Sequence, residues 1–178
     1  EKDIRIGDYV YIYKAGDVVG IYNLSQDGKI EINNLPMGIY NLEETKTMDG
    51  LVINKEPIEI TLTKQDNTTK VYTKNVTVEN KTTLVEIYKI DKDSKEQITG
   101  AKFALYDDEG NELTSWVSDG TPYIIEGLSI YKEYKLKELE APDGYYLLDN
   151  DFKFNVADNE GLQKIEVHNE LVLKNIII

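Results

Sequence analysis

Residues 40–50 align without a gap on residues 134–144, matching Tyr40 to Tyr134, Leu42 to Leu136, Glu44 to Glu138, Asp49 to Asp143 and Gly50 to Gly144. Flanking segments repeat in the same order. Residues 32–38 parallel 125–129 loosely, and Val76, Val78 and Asn80 parallel Ile165, Val167 and Asn169. A chain that repeats itself at this spacing builds one supersecondary pattern twice, so two tandem modules are expected, 1–83 and 84–178. The junction at Lys81, Thr82 and Thr83 is short and poor in glycine and proline, which predicts a stiff joint rather than a free linker.

Within each copy the period is two. Val76, Val78 and Asn80 share one face against Thr77 and Glu79; Ile165, Val167 and Asn169 share one against Lys164, Glu166 and His168. Tyr40, Leu42 and Glu44 form a third such set, and Tyr134, Leu136 and Glu138 a fourth. Short alternating runs predict half-buried strands. Turn residues separate them at Asp27-Gly28, Asn33-Asn34, Asp49-Gly50, residues 107–111 and Asp143-Gly144. With no amphipathic helix in the pattern, the fold class is all-β, a sandwich in each module.

Composition narrows the function classes. The 178 residues carry a formal net charge of −13, which opposes binding to nucleic acid phosphates and to anionic lipid. No apolar run is long enough to span a bilayer. Modules of this size bury modest cores and gain from a staple, yet the chain has no cysteine to make a disulfide.

The alternation itself suggests another staple. Val85, Ile87 and Lys89 share a strand face, Glu138 follows Tyr134 and Leu136, and Asn169 follows Ile165 and Val167. Three strands thus each aim one polar group at the apolar side, where unpaired charge is expensive. Burial lowers a lysine's pKa towards a neutral nucleophile and favours the protonated form of a carboxyl. An acid so placed can polarise the asparagine carbonyl and shuttle protons while an amide forms and ammonia leaves. The product would be an isopeptide between Lys89 Nζ and Asn169 Cγ, closing a loop of about 80 residues worth roughly 4–5 kcal/mol by analogy with disulfides. The plainer alternative is that these side chains are solvated or salt-bridged.

Other constellations carry less. Asp91, Asp93 and Glu96, and separately residues 107–112, look superficially like calcium loops, but neither has the EF-hand order, so no metal is expected. His168, the one histidine, falls on a polar strand face, which argues against a histidine triad or zinc site. Trp116 and the thirteen tyrosines read as core and strand residues rather than a sugar platform. No cofactor is implied.

The stretch Tyr134, Leu136, Glu138, Ala141, Pro142, Gly144, Tyr145 resembles the E-box of Gram-positive pilins and of collagen-adhesin B-type (CnaB-like) repeats, with Leu139 where the motif has threonine. Ile87, Lys89, Asp91 and Asp93, followed by Gly100, Ala101, Phe103 and Leu105, are similar to the family's first strand and its Gly-Ala-x-Phe signature; Val167 and Asn169 resemble its closing strand. The resemblance implies a prealbumin-like, inverted immunoglobulin-type sandwich. It also implies an isopeptide with Lys89 as nucleophile, Asn169 as acceptor and Glu138 as catalytic acid. In the first module Glu44 matches the acid and Asn80 the acceptor, while Met48 and Leu51 replace the proline and the final tyrosine. Residues 1–10 resemble a module interior, so the first module is expected to lack its N-terminal strand and lysine, Lys14 reading as a turn residue. Glu44 would then be idle and Asn80 unreacted.

The resulting expectation is a structural stalk of a wall-anchored adhesin or pilus-like surface protein, extracellular, whose only chemistry is a single-turnover cross-link. Its partners would be neighbouring modules, with host matrix protein engaged through other domains. The competing readings are a module that itself binds host matrix protein or glycan, and a pilus backbone subunit; the pilin lysine motif and LPxTG are absent from these residues. Residues 171–178 resemble the start of a further module, and strand exchange between that tail and another copy's first module is a further expectation.

Overall fold

The computed structural model describes residues 2–6, 9–64, 66 and 73–173. The described chain contains strands and turns, and no helix in it is long and apolar enough to cross a membrane. It divides into two compact units, one of Glu1–Leu42 and Pro57–Thr77, the other of Glu43–Glu56 and Val78–Ile178.

The first unit holds two antiparallel pairs. Strands β1 (Lys2–Ile6) and β2 (Tyr9–Tyr13) form one, and β3 (Gly38–Leu42) with β4 (Ile58–Leu62) the other. In the second pair Tyr40 faces Ile60 in register, and both strands alternate half-buried with exposed residues, as period two requires. Residues 73–81 differ from expectation. They form no strand, and Val76 and Val78 are each 38% exposed. Alternation marks which side chains can share a face, but a strand also needs a neighbour for its backbone groups, and among the described residues the ladder here is limited to the bridge of Thr82 with Leu51, just past this segment, and the bond from Val52 N to Lys81 O. Of the tail expected to exchange strands, residues 171–178, the last five lie outside the described residues.

The second unit is a two-sheet sandwich. One sheet has the order β10-β9-β6-β7 and the other β11-β5-β8, where β5 is Leu84–Asp91, β6 Thr99–Tyr106, β7 Glu112–Asp119, β8 Tyr123–Glu126, β9 Glu133–Glu140, β10 Phe152–Asn155 and β11 Gln163–Asn169. Val85, Ile87, Ile125, Ile165 and Val167 from one sheet meet Phe103, Leu105, Tyr134, Leu136 and Phe154 from the other in one buried cluster. Strands β5 and β11, far apart in sequence, lie side by side in parallel, with Val167 opposite Lys89 and Asn169 opposite Asp91. That pairing brings the start and the end of the module together.

Residues 43–56 and 78–83, read from the repeat as part of the first module, pack in this second unit. Asp49 accepts from Ser129 Oγ at 2.9 Å, Thr83 Oγ1 donates to the Leu128 carbonyl at 2.7 Å, and Ile53 N donates to Asp158 at 3.0 Å. Gly50 permits the approach. Its φ is +82°, and a Cβ there would stand 2.6 Å from the Gly127 carbonyl oxygen.

Candidate functional site

Alternation along β5, β9 and β11 carries Lys89, Glu138 and Asn169 into the sandwich. Lys89 follows Val85 and Ile87 on the buried face of β5; Glu138 follows Tyr134 and Leu136 on β9; Asn169 follows Ile165 and Val167 on β11. The relative exposures of the three residues are 4%, 5% and 1%. Lys89 Nζ donates to Asn169 Oδ1 and lies 3.1 Å from Glu138 Oε1. Phe103, opposite Glu138 in the β6–β9 ladder, closes the site with its ring centroid 5.3 Å from the ammonium. Burial pulls the Lys89 pKa below its ordinary 10.5, while the adjacent Glu138 carboxylate acts in the opposite sense.

The asparagine amide is held in one orientation. Its Nδ2 donates to the Tyr146 carbonyl at 2.8 Å and to both Glu138 oxygens at 3.0 Å. A backbone carbonyl only accepts, so the amide nitrogen rather than its oxygen must face Tyr146. Oδ1 is thereby turned to Lys89. Glu138 stands beside the amide nitrogen, not beside the carbonyl oxygen that the sequence argument had it polarise. The Leu148 N–H donates to Glu138 Oε2 at 2.9 Å and fixes the carboxyl in turn. Tyr146 and Leu148 act through backbone groups, which no side-chain pattern marks, and both escaped the sequence reading.

Glu44 and Asn80 form a second copy of this arrangement. Asn80 Nδ2 donates to Glu44 Oε2 at 2.5 Å and to the Val52 carbonyl at 2.9 Å, and Asn54 N–H donates to Glu44 Oε2 at 2.7 Å. Val52 and Asn54 stand where Tyr146 and Leu148 stand around Glu138. The supporting backbone bonds repeat too. Val52 N to Lys81 O at 2.8 Å mirrors Tyr146 N to Glu170 O at 3.0 Å, and Thr83 N to Gly50 O at 3.0 Å mirrors Val172 N to Gly144 O at 2.7 Å. One difference lies at Thr47, whose Oγ1 takes a 3.3 Å bond from Asn80 Nδ2 where the second copy has Ala141. Glu44 and Asn80 are only half-buried. Lys14 lies in a turn with Asp17, its carbonyl accepting from Asp17 N at 3.1 Å and its own N–H donating to Asp17 Oδ2 at 2.7 Å.

The remaining sequence candidates have ordinary surroundings. Asp107 Oδ1 accepts from Glu109 N and Asn111 N in an exposed turn, and Asp91 Oδ1 accepts from Asp93 N and Ser94 N. Among the described residues no group of three or more acidic, histidine or cysteine side chains could hold a metal ion. Trp116 packs on the core, stacked on Tyr123 with centroids 4.1 Å apart and on Phe103 at 5.5 Å. His168 Nε2 lies 3.2 Å from Glu166.

A two-sheet sandwich whose first and last strands pair in parallel, preceded by a repeat of its own acid and amide, defines a tandem prealbumin-like chain. The chain belongs to the SpaA prealbumin-like fold domain family, whose profile matches residues 6–77 and 83–171. The resemblance to CnaB-like pilin domains and the expectation of tandem β-sandwich modules both hold. The chain is similar to the Bacillus anthracis TIE protein, at 26% identity with a TM-score of 0.54, covering 84% of this chain and 28% of that one. It is also similar to BcpA, the major pilin subunit of Bacillus cereus, at 25% identity and a TM-score of 0.43, over 51% of this chain and 30% of that one. A third match is GBS52, the minor pilin of Streptococcus agalactiae, at 18% identity and 0.46, over 86% of this chain and 68% of that one. The chain spans less than a third of the length of the two Bacillus structures.

Proposed function

We propose that this chain is a structural segment of a Gram-positive cell-surface protein, a stalk or pilus-like spacer made of modules 1–83 and 84–178, stapled by an isopeptide between Lys89 and Asn169. The observation that carries this reading is the buried contact of Lys89 with both Asn169 Oδ1 and Glu138 Oε1. Membership of the prealbumin-like family and similarity to pilins support the surface role.

The reaction follows from the contacts. A proton passes from Lys89 Nζ to Glu138 Oε1 across 3.1 Å, leaving a neutral amine and a neutral acid. The Nζ lone pair adds to Asn169 Cγ. Glu138 gives its proton to Nδ2, 3.0 Å away, and takes back one from Nζ as the Cγ–Nδ2 bond breaks. One N–C bond forms, one breaks, and ammonia leaves. Because the product amide carries no charge, the cost of burying an ammonium and a carboxylate disappears with it. The protein consumes its own lysine and turns over once, so it is not an enzyme.

Glu44 and Asn80 are the acid and acceptor of the same chemistry. Among the described residues the contacts of this pair are Val52, Asn54 and Thr47, none of them a lysine, and the expectation is that Glu44 stays idle and Asn80 an intact amide. The staple holds the ends of the second module together, which suits a segment that carries a binding region away from the cell surface under load.

Intact mass under denaturing conditions tests the reading. The expected result is one ammonia less than the sequence mass, restored to the full value in Lys89→Ala, with a branched peptide joining Lys89 to Asn169 after digestion. An unshifted wild-type mass defeats the proposal; a loss of two ammonias defeats the claim that Asn80 is unreacted.

A further inference from the structure

The carboxylate of Asp91 is buried at 4% exposure although it takes no part in the proposed cross-link. It lies on β5 two residues beyond Lys89 and opposite Asn169 in the β5–β11 register. Its Oδ1 is occupied by the N–H groups of Asp93 and Ser94, each at 2.8 Å. Its Oδ2 accepts the hydroxyl of Tyr145 at 2.8 Å, from a residue 54 positions further along the chain. A hydrogen bond to an ionised acceptor is shorter and stronger than a neutral one. This bond also spans from one reacting strand to the loop that serves the other reacting groups.

That loop supplies two contacts of the site. Tyr146 O orients the Asn169 amide, and Leu148 N–H fixes Glu138. Its path is set on one side by the pairing of Tyr145 with Leu171, just past β11, and by the bond from Tyr146 N to Glu170 O. Nothing in those contacts ties it to the strand that carries the nucleophile; the bond from Tyr145 to Asp91 does. The repeat within the chain sharpens the point. At the half-site built on Glu44 and Asn80, the residue in the place of Tyr145 is Leu51, which has no hydroxyl to offer.

We infer that Asp91 and Tyr145 form a latch that positions the 142–148 loop against the Lys89 strand, and that this latch sets the rate at which the Lys89–Asn169 bond forms. Both are positioning residues, acting through Tyr146 O and Leu148 N, and neither touches the reacting atoms. The inference rests on the isopeptide reading above. Its physical basis is that a reacting pair held in the attack geometry reacts orders of magnitude faster than one that wanders by an ångström.

The test follows ammonia loss with time by intact mass after rapid synthesis of the full chain, with circular dichroism confirming that each variant is folded. Tyr145→Phe, which removes one hydroxyl, is expected to slow cross-linking by on the order of tenfold or more. Asp91→Ala should slow it as much, while Asp91→Asn, whose Oδ1 can hold the Asp93 and Ser94 N–H groups and whose Nδ2 can donate a weaker, neutral bond to the Tyr145 hydroxyl oxygen, should fall between wild type and Asp91→Ala. If Asp91 served only its local turn, Asp91→Ala would be slow and Tyr145→Phe normal; that outcome overturns the latch. Should Tyr145→Phe fail to fold, the ratio of rates between Asp91→Asn and Asp91→Ala decides, and equal rates overturn the inference. A wild-type protein that loses no ammonia overturns the cross-link reading and the latch with it, whereas a cross-linked wild type with an equally fast Tyr145→Phe overturns the latch alone.

Discussion

At the scale of single residues, the centre of the second module shows what a buried polar trio needs in order to be stable. Lys89, Glu138 and Asn169 satisfy one another, and two backbone groups, Tyr146 O and Leu148 N–H, take up the capacity left over. Removing one member exposes the cost. Glu138→Gln is expected to leave the chain folded and uncross-linked at full sequence mass, and to lower its stability by roughly 4–5 kcal/mol, the loop-closure value of the missing bond. That variant also isolates the titration of Lys89. Its largest influence, burial, remains, and the opposing pull of Glu138 is gone, so the folded-state pKa stays below the unfolded 10.5. Between those two values the unfolded chain binds more protons than the folded one, and stability rises with pH. Urea denaturation of Glu138→Gln from neutral pH to pH 10 should therefore show increasing stability over that window. With the proposed cross-link in place Lys89 would no longer titrate, so the wild type is expected to lack the rise.

At the scale of elements, the turn at Gly50 approaches the backbone of Gly127 closely. Gly50 and Gly127 both have positive φ, +82° and +76°, but only Gly50 would press a Cβ against backbone, at 2.6 Å from the Gly127 oxygen. Gly127→Ala should cost about 1 kcal/mol for its left-handed conformation alone, and Gly50→Ala about 2–3 kcal/mol or more because conformation and clash add. Chemical denaturation of the two variants compares them directly, and equal losses would contradict the packing argument. The sequence reading went wrong at one element here. Val76, Val78 and Asn80 alternate as well as Ile165, Val167 and Asn169 do, yet only the latter lie in a strand, paired along β5. Asn80 still reaches Glu44, because its side chain needs only the local course of the chain and not a full ladder.

At the scale of the whole chain, the two units differ in how deeply they bury apolar side chains. All of the fully buried apolar residues among those described belong to the second unit, whereas Val18, Ile21 and Leu24 of the first are 73%, 86% and 55% exposed. Local opening is easiest where few apolar contacts must be broken. Limited proteolysis is expected to cut first within residues 14–34 and to leave residues 84–173 intact, and the reverse order would count against this account. The staple should accentuate the contrast. Relative to Lys89→Ala, the wild-type second module should melt roughly 20 °C higher, the shift that about 4–5 kcal/mol produces in a domain of this size.

Alternation and repetition along the chain were enough to determine the all-β class, the two-copy organisation, the inward aim of Lys89, Glu138 and Asn169, and the kinship of Glu44 with Glu138. These follow from the sequence because a strand's faces are set by its period of two, and a repeat is visible as identity at fixed offsets. Other features were decided only by the tertiary structure. Residues 43–56 and 78–83 join the second unit through bonds such as Asp49 with Ser129 and Thr83 with the Leu128 carbonyl, partners whose residue types are common and carry no signal of distance. The amide of Asn169 takes its orientation from a backbone carbonyl, and every residue has one. Asp91 meets Tyr145 because β5 and β11 pair in parallel and bring the 142–148 loop to the end of β5. Side-chain patterns record which way a residue points. What it meets there depends on strand pairing and on backbone groups that the sequence writes identically at every position.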